Sequence, residues 1–465
     1  MLLSNQGKLI RRVSFFFIEN LLIFLCVLAA VEIRLFLDFS RDDFFTYDLL
    51  YYKAFVIASI CQICFYYNDL YAIRLANQPR EWSIKFIQSL ATAAILLSVV
   101  YYLFPSVIIG RGVFLITLAL LPLAVIGWRL SYDRLSRMGP LRDRLLIIGS
   151  GTLARKIGSE ILKNHRASYD VVGFIDEDPK RVGESVVNPK IIGDYAALSG
   201  IVSRGNINRV IVALPDRRGK LPVDSLLQCK FQGTQIHDGV NFYERLVGKI
   251  VVEDLKPSWF IFSSGFNQFR LTRITKRLLD IAVASLALLV SLPLFLIIAP
   301  LIRLNSPGPV FFRQERVGED GRVFTLMKFR SMREDAEAET GPVWARHQDD
   351  RTTAVGRFLR TSRMDELPQL INVLKGHMSF VGPRPERPFF VGQLQKEIPY
   401  YLVRHAVKPG ITGWAQIKYN YGASKEDALE KLQYDLFYIK HLSLWLDLTI
   451  IFETIKVVLL SRGSR

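Results

Sequence analysis

Four apolar runs open this chain, roughly Phe15 to Val31, Phe44 to Tyr66, Ile84 to Phe104 and Val113 to Trp128. Each is near the ~20 residues that an α-helix needs to cross a bilayer, and in lipid a helix alone satisfies its own backbone. The first run carries Glu19 and is followed by Glu32, which are costly at membrane depth. Lys and Arg flank the runs in an alternating pattern of 3, 2, 3, 1 and 5. The positive-inside bias then places both ends of a four-helix unit in the cytoplasm. The first run shows no small-residue cleavage site, so it is expected to stay as a helix.

Composition narrows the class. Lys plus Arg number 60 against 43 Asp plus Glu, a formal charge of +17, while half of all residues are hydrophobic. Abundant aromatic and aliphatic residues exclude disorder. Four Cys in 465 residues exclude a disulfide scaffold. Cys61 and Cys64 form a C-x-x-C inside an apolar run with no second ligand pair nearby, so plain packing is expected. Basic charge combined with apolar runs favours anionic lipid and phosphorylated substrates over nucleic acid.

The segment 141–265 reads as soluble α/β. Leu145-Leu-Ile-Ile148 is a short strand, Gly149-Ser-Gly151-Thr-Leu-Ala154 a glycine turn, and Val171 to Ile175 a second strand ending at Asp176. Strand, glycine turn, helix, strand begins a Rossmann-like βαβ unit, and Asp176 stands at the usual place of a ribose ligand. No Tyr-x-x-x-Lys pair accompanies it. A degenerate nucleotide-binding fold used for regulation or assembly is therefore expected here.

The segment 266–465 contains one further apolar run, Ile281 to Ile302, with basic residues on both sides and Pro293 at its centre. Basic flanks disfavour a simple span, and a central proline bends a helix. A re-entrant helix over about 278–304, turning at Pro293, meets both facts and keeps the rest of the segment on one face of the membrane. Arg316-Val-Gly-Glu-Asp-Gly-Arg322 reads as a hairpin. Near the end, Leu444 to Leu460 mixes apolar residues with Asp447, Glu453 and Lys456, as a helix packed on the domain or lying at the interface would.

The densest polar patterning lies between Asn305 and Gln416. Pro368 suits the first turn of a helix that Gly376 would stop, which puts Asp365 and Glu366 at its N-terminus. Adjacent acids at helix starts are commonly only caps. Here Arg357, Arg360, Arg363 and Arg384 are close in sequence, and Lys328 and Arg330 are further candidates to join them. Carboxylates among cations suit phosphate chemistry, in which cations hold phosphoryl oxygens and a carboxylate binds a metal or attacks phosphorus. A lipid-headgroup belt accounts for some of these cations.

The motifs Pro307-Gly-Pro-Val-Phe-Phe, Lys328-Phe-Arg-Ser-Met, Asp365-Glu-Leu-Pro-Gln, Met378-Ser-Phe-Val-Gly-Pro-Arg-Pro and Pro409-Gly-Ile-Thr-Gly-Trp-Ala-Gln closely resemble those of the bacterial polyprenyl-phosphate glycosyl-1-phosphate transferases, the monotopic phosphoglycosyl transferase superfamily. With its leading helices and α/β segment the chain is similar to the long, multi-pass branch, the undecaprenyl-phosphate glucose and galactose phosphotransferases. The resemblance implies sugar-1-phosphate transfer from a UDP-sugar to undecaprenyl phosphate, with UMP as the other product. It implies Asp365 as nucleophile and Mg²⁺ ligand, Glu366 as base or charge partner, and Arg360 as a phosphate ligand; Arg384, Lys328 and Arg330 are expected to bind substrate with it, as cations near the dyad. It also implies a homodimer and a bacterial inner-membrane location with the catalytic domain on the cytoplasmic face, in contact with membrane lipid and initiating exopolysaccharide, capsule or O-antigen synthesis. The sequence departs from the short family members in placing Leu292, not Ser, directly before Pro293, with Ser291 one step earlier. The bend is thus expected to rest on Pro293. A membrane-tethered NAD-dependent dehydratase or epimerase, and a non-catalytic scaffold, are the competing readings.

The expected fold is a membrane α-helical unit over 1–140, a Rossmann-like α/β domain over 141–265, and a mostly α catalytic domain over 266–465 with a re-entrant helix and a small β-hairpin.

Overall fold

The structure is a computed structural model. It describes residues 3–37, 49–71, 79–137, 142–165, 169–214, 221–252, 265–266, 270–333, 351–419, 422 and 424–459. Arg41, Arg74, residues 44–48 of the second apolar run and the 140/141 boundary lie outside the described residues. The chain divides into two compact units, Met1–Arg142 and Asp143–Arg465.

The first unit is helical. Its elements are α1 (Leu3–Leu37), α2 (Leu50–Tyr67), α3 (Pro79–Leu103) and α4 (Arg111–Arg137). All four contain stretches long and apolar enough to cross a membrane. Helix α1 packs on α2 and α4, and α2 packs on α3. Ile23, Val27, Ala58, Phe65, Trp82 and Val125 fill the core, whereas Phe17, Phe55, Ile95 and Leu123 face outward as lipid-facing residues do. One charge pair sits inside. Arg129 Nε donates to Glu19 Oε1 at 2.8 Å, and its NH2 donates to Oε2 at 3.2 Å. The remaining arm donates to the Leu70 carbonyl at 2.8 Å. The guanidinium lies against the rings of Tyr71, Trp82 and Phe15. Gln62 links Asn20 to the Phe16 carbonyl beside it. The acid that made the first run doubtful as a span is thus satisfied by a partner on α4.

In the second unit a five-stranded sheet comes first: β1 (Asp143–Ile148), β2 (Tyr169–Asp176), β3 (Ile191–Asp194), β4 (Arg209–Val212) and β5 (Gln235–Asp238). All pairings are parallel, in the order β3-β2-β1-β4-β5. A parallel sheet covered on both faces explains why β1 is apolar from Leu145 to Ile148. Leu145 and Ile147 pack against α5 (Thr152–Glu160) and α8 (Gly239–Val247). Leu146 and Ile148 pack against α6 (Leu198–Arg204) and α7 (Val223–Phe231). Gly149 has φ +105°, and a Cβ there would meet the Ala213 carbonyl oxygen at 2.9 Å, so the strand can turn into α5 only on glycine. Asp176, the expected ribose ligand, is buried and already accepts hydrogen bonds from Ser150 and Arg181.

The remainder is mostly helical around two small sheets. Helix α9 spans Arg270–Asn305, and helical geometry runs unbroken through Pro293 and Pro300. Ser291 is buried and donates to the Leu288 carbonyl at 3.1 Å, a back-bond that bends helices. The residue directly before Pro293 is Leu292, so this back-bond comes from one position earlier. Strands β6 (Phe311–Val317) and β7 (Val323–Phe329) form the expected hairpin, with Phe312 opposite Lys328. Then follow α10 (Ala354–Thr361), a 3₁₀ turn (Met364–Glu366), α11 (Gln369–Leu374), β8 (Ser379–Val381), α12 (Pro388–Glu397), a second 3₁₀ turn (Tyr401–Ala406), β9 (Gly410–Thr412), α13 (Trp414–Lys418), α14 (Lys425–Lys440) and α15 (Leu444–Leu459).

Both halves of α9 rest on this same body. Near its start, Arg277 donates to the Val373 and Leu374 carbonyls at 2.7 and 2.8 Å, and Asp280 accepts from Ser379 Oγ and the Phe380 amide. Near its end, Ile298 and Ile302 pack with Phe329 and Leu359. Between them Leu286, Leu289, Val290, Leu292, Leu296 and Ile297 are exposed. Helix α15 buries Ile450 and Asp447 and leaves Trp445, Leu448, Phe452 and Ile455 exposed. Asp447 pairs with Lys276 at 2.8 Å and accepts from the Tyr438 hydroxyl at 2.7 Å.

The α/β sheet domain and the helical segment that follows it share a seam. Glu244 of α8 is buried with Lys440 of α14 at 2.7 Å and His441 at 2.6 Å. Trp414 donates to the Gly248 carbonyl, and the Ile250 amide to the Gln433 carbonyl.

Candidate active site

The two carboxylates precede α11 rather than begin it. They lie on the 3₁₀ turn Met364–Glu366, which starts from Arg363 in the left-handed region at φ 56°. A non-glycine residue there is uncommon and clusters at functional sites. Helix α11 is only six residues long. The electrostatics of the pair therefore come from side chains more than from a helix dipole.

Strand β7 supplies the first cation. Lys328 Nζ lies 2.9 Å from Glu366 Oε1 and 3.6 Å from Asp365 Oδ2. The loop after β8 supplies the second, with Arg384 donating to the same Glu366 oxygen at 2.7 Å. Asn372 of α11 fixes strand and turn relative to each other. Its amide donates to the Thr325 carbonyl at 2.7 Å and accepts from the Met327 amide at 3.0 Å. This is a reciprocal tie that sets Lys328 beside the dyad.

Burial raises the Asp365 carboxyl above the usual carboxylate range; Lys328 pulls the other way, Glu366 adds to the rise, and Arg384 and Arg360 oppose it. Glu366 is held well below its usual range: burial alone would push it up, but Arg384 and Lys328 overcome that. The result is one firmly ionised carboxylate locked to two cations, and a neighbour whose charge is less well compensated.

The other expected cations divide. Arg360, on the last turn of α10, donates to Thr352 Oγ1 at 3.3 Å and acts on Asp365 through its charge. Arg330 is buried and donates to the Pro307 and Ser306 carbonyls at 2.6 and 2.7 Å, fastening the start of the hairpin to its end. Pro293 lies in α9. Arg363, in sequence only a neighbour of the dyad, acts by charge on Glu366 and Asp365, and its burial lowers its own pKa. Asn372 carries no sequence signal beyond its nearness to the Asp365 motif.

Two expected outcomes test this framework. A Cβ at Gly356 would lie 1.9 Å from the Ser331 carbonyl oxygen, just beyond β7. Gly356→Ala is expected to cost about 3 kcal/mol, read from thermal unfolding of the detergent-solubilised chain. An unchanged transition would mean that α10 does not abut the end of the hairpin. Behind the site, burial and then Arg404 push the His405 imidazole down to about 4. An imidazole that stays neutral in the fold contributes stability that is present above ~6.5 and lost as pH falls toward that lower value. The loss is on the order of 3 kcal/mol. His405→Gln should flatten the acid side of the unfolding-versus-pH curve, and an unaltered slope would contradict the assignment.

Buried carboxylates set among cations are an arrangement suited to phosphate chemistry. The particular family is given by its relatives. The family described as bacterial sugar transferase matches residues 271–461, and one described as a CoA-binding domain matches 66–228. A UDP-N-acetylgalactosamine-undecaprenyl-phosphate N-acetylgalactosaminephosphotransferase of Aeromonas hydrophila is 42% identical over 242 residues, 52% of this chain and 56% of the relative. A UDP-glucose:undecaprenyl-phosphate glucose-1-phosphate transferase of Escherichia coli K12 is 37% identical over 326 residues, 67% of each chain. An exopolysaccharide production protein of Rhizobium leguminosarum is 43% identical over 196 residues, 41% of this chain and 98% of the relative. This chain belongs to the bacterial sugar transferases, the polyprenyl-phosphate glycosyl-1-phosphate transferase family.

Proposed function

We propose that the protein moves a sugar 1-phosphate from a UDP-sugar to undecaprenyl phosphate, releasing UMP, as the first step of a surface polysaccharide. The single observation that carries this reading is Asp365, buried and raised in pKa, beside Glu366 held by Lys328 and Arg384. An ionised Asp365 oxygen attacks the β-phosphorus of the UDP-sugar. The bond from that phosphorus to the bridging oxygen breaks, and UMP departs with the electron pair. An oxygen of undecaprenyl phosphate then attacks the same phosphorus and frees Asp365, giving undecaprenyl-diphospho-sugar. Splitting the transfer in two keeps the two anionic substrates from meeting at once. A carboxylate that is less stabilised as an anion is the better nucleophile, while Glu366 keeps Lys328 and Arg384 in position near the transferred phosphoryl group.

Mg²⁺ fits the donor set. Among the described residues no group of three or more His, Cys, Asp or Glu gathers to hold a metal. Mg²⁺ commonly takes one or two carboxylates and completes its shell with water and substrate phosphate, and Asp365 offers such a carboxylate. When bound, it offsets diphosphate charge.

We read α9 as re-entrant, with 266–465 on the cytoplasmic face of the inner membrane. Its two halves pack on one body, its middle is apolar and exposed, and Ser291 and Pro293 favour a bend. The exposed side of α15 would meet the same leaflet.

The test is direct. Full-length protein in nanodiscs with Mg²⁺ and undecaprenyl phosphate is offered UDP-glucose, UDP-galactose, UDP-N-acetylglucosamine and UDP-N-acetylgalactosamine in turn. UMP and a lipid-linked sugar diphosphate from at least one donor are expected. NAD-dependent conversion of the free nucleotide sugar without UMP would overturn the reading in favour of a dehydratase or epimerase.

A further inference from the structure

We infer that Arg404 is a positioning residue for the reaction: it touches neither carboxylate, but holds the main chain at Arg384 so that the Arg384 guanidinium reaches Glu366. This rests on the transferase reading above.

The loop that carries Arg384 is tied down almost atom by atom. The Gly382 amide donates to the Thr412 carbonyl, the Gly410 amide to the Pro383 carbonyl, and the Val317 amide to the Glu386 carbonyl. A Cβ on Gly382 would come within 2.4 Å of the Lys408 carbonyl oxygen, so the loop passes too close to the chain entering β9 for a side chain. Pro383 and Pro385 on either side of Arg384 restrict the backbone further. Arg384's own carbonyl, by contrast, is held by a side chain: Arg404 NH2 donates to it at 3.0 Å. The same nitrogen donates to Asp435 Oδ2 of α14 at 2.8 Å, and NH1 donates to the Tyr401 hydroxyl at 2.7 Å. Side-chain exposure is 6% for Arg404 and 2% for Asp435.

Burying such a pair is costly, and apolar residues of similar volume often stabilise a protein as well or better. A planar fork that meets a carboxylate, a hydroxyl and a carbonyl at once is what only arginine supplies; a lysine cannot span the three. The arrangement is therefore poor as a stability device and well suited to fixing one carbonyl. Arg384 then continues the line to Glu366 at 2.7 Å. A small shift of its main chain opens that contact, and misplacements of about 1 Å in a site can cost ~10²-fold in rate.

The experiment is a double-mutant cycle on the full-length protein in nanodiscs, reading UMP release with the UDP-sugar that the wild type uses. Arg404→Lys keeps the charge beside Asp435 and is expected to lower kcat about tenfold or more while KM changes less. Arg384→Lys is expected to lower it further. If Arg404 works through Arg384, the double variant is no worse than Arg384→Lys alone; a packing role predicts multiplied losses. Thermal unfolding of each variant separates misfolding from misplacement. If Arg404→Lys does not fold, Tyr401→Phe removes one hydroxyl from the fork and gives the same cycle with a smaller effect. Wild-type activity in Arg404→Lys, or multiplied losses in the double variant, would overturn the inference. Absence of UMP from the wild type with every donor would instead overturn the transferase reading.

Discussion

Asp365→Asn is expected to abolish sugar-phosphate transfer, with kcat falling about 10⁴-fold or more, as when a covalent nucleophile is removed elsewhere. Asparagine keeps the shape and cannot form the acyl phosphate. Asp365 meets Lys328 at a loose 3.6 Å and makes none of the short bonds that lock Glu366, so the fold should tolerate the change. Two measurements check this together: UMP release, and trapping of a phosphosugar adduct on the 365-containing peptide by mass spectrometry. Wild-type rates in the variant would remove the nucleophile from the scheme. Glu366→Gln should act differently, since it leaves Lys328 and Arg384 without their shared anion; the losses there mix catalysis with stability.

The second large effect lies in the helical unit. Arg129→Leu would leave Glu19 buried without its counter-charge, at a cost of about 3–5 kcal/mol. Glu19→Leu alone would strand the guanidinium in its aromatic surroundings to similar effect. The double variant, with both replaced by leucine, should recover most of the loss, because no charge is then left to solvate. Thermal denaturation in detergent reads this. A double variant as unstable as either single one would show that Arg129 matters through its bond to the Leu70 carbonyl and its ring contacts, not through Glu19.

The features legible in the residues themselves are mostly local. The apolar runs become α1 to α4, and the turn between Gly318 and Gly321 becomes the hairpin of β6 and β7. The Gly149 turn closes β1 onto α5, because positive φ and a near backbone leave no alternative. Long-range partnerships are not legible. Arg330 stands beside Lys328 in sequence, yet the two side chains part company where the strand ends. One meets the dyad and the other the Pro307 and Ser306 carbonyls. The residues place the dyad on a helix start because Pro368 and Gly376 bracket a helix. The left-handed Arg363 that inserts a 3₁₀ turn carries no compositional mark, since it is not glycine, asparagine or aspartate. Arg404 and Asp435 are 31 residues apart, and nothing in either neighbourhood announces the other.

The seam at Glu244 bears on how such enzymes gain and lose parts. A relative of which 98% aligns to this chain matches only 41% of it, so the transferase portion exists elsewhere almost by itself. Here that portion has delegated the neutralisation of Lys440 to an acid on α8, some 196 residues away in the chain. Excising the portion from this protein would take the buried Glu244 carboxylate from Lys440, on the very helix that carries Asp435. Cutting between the two modules would therefore open a buried ion pair and not merely expose a surface.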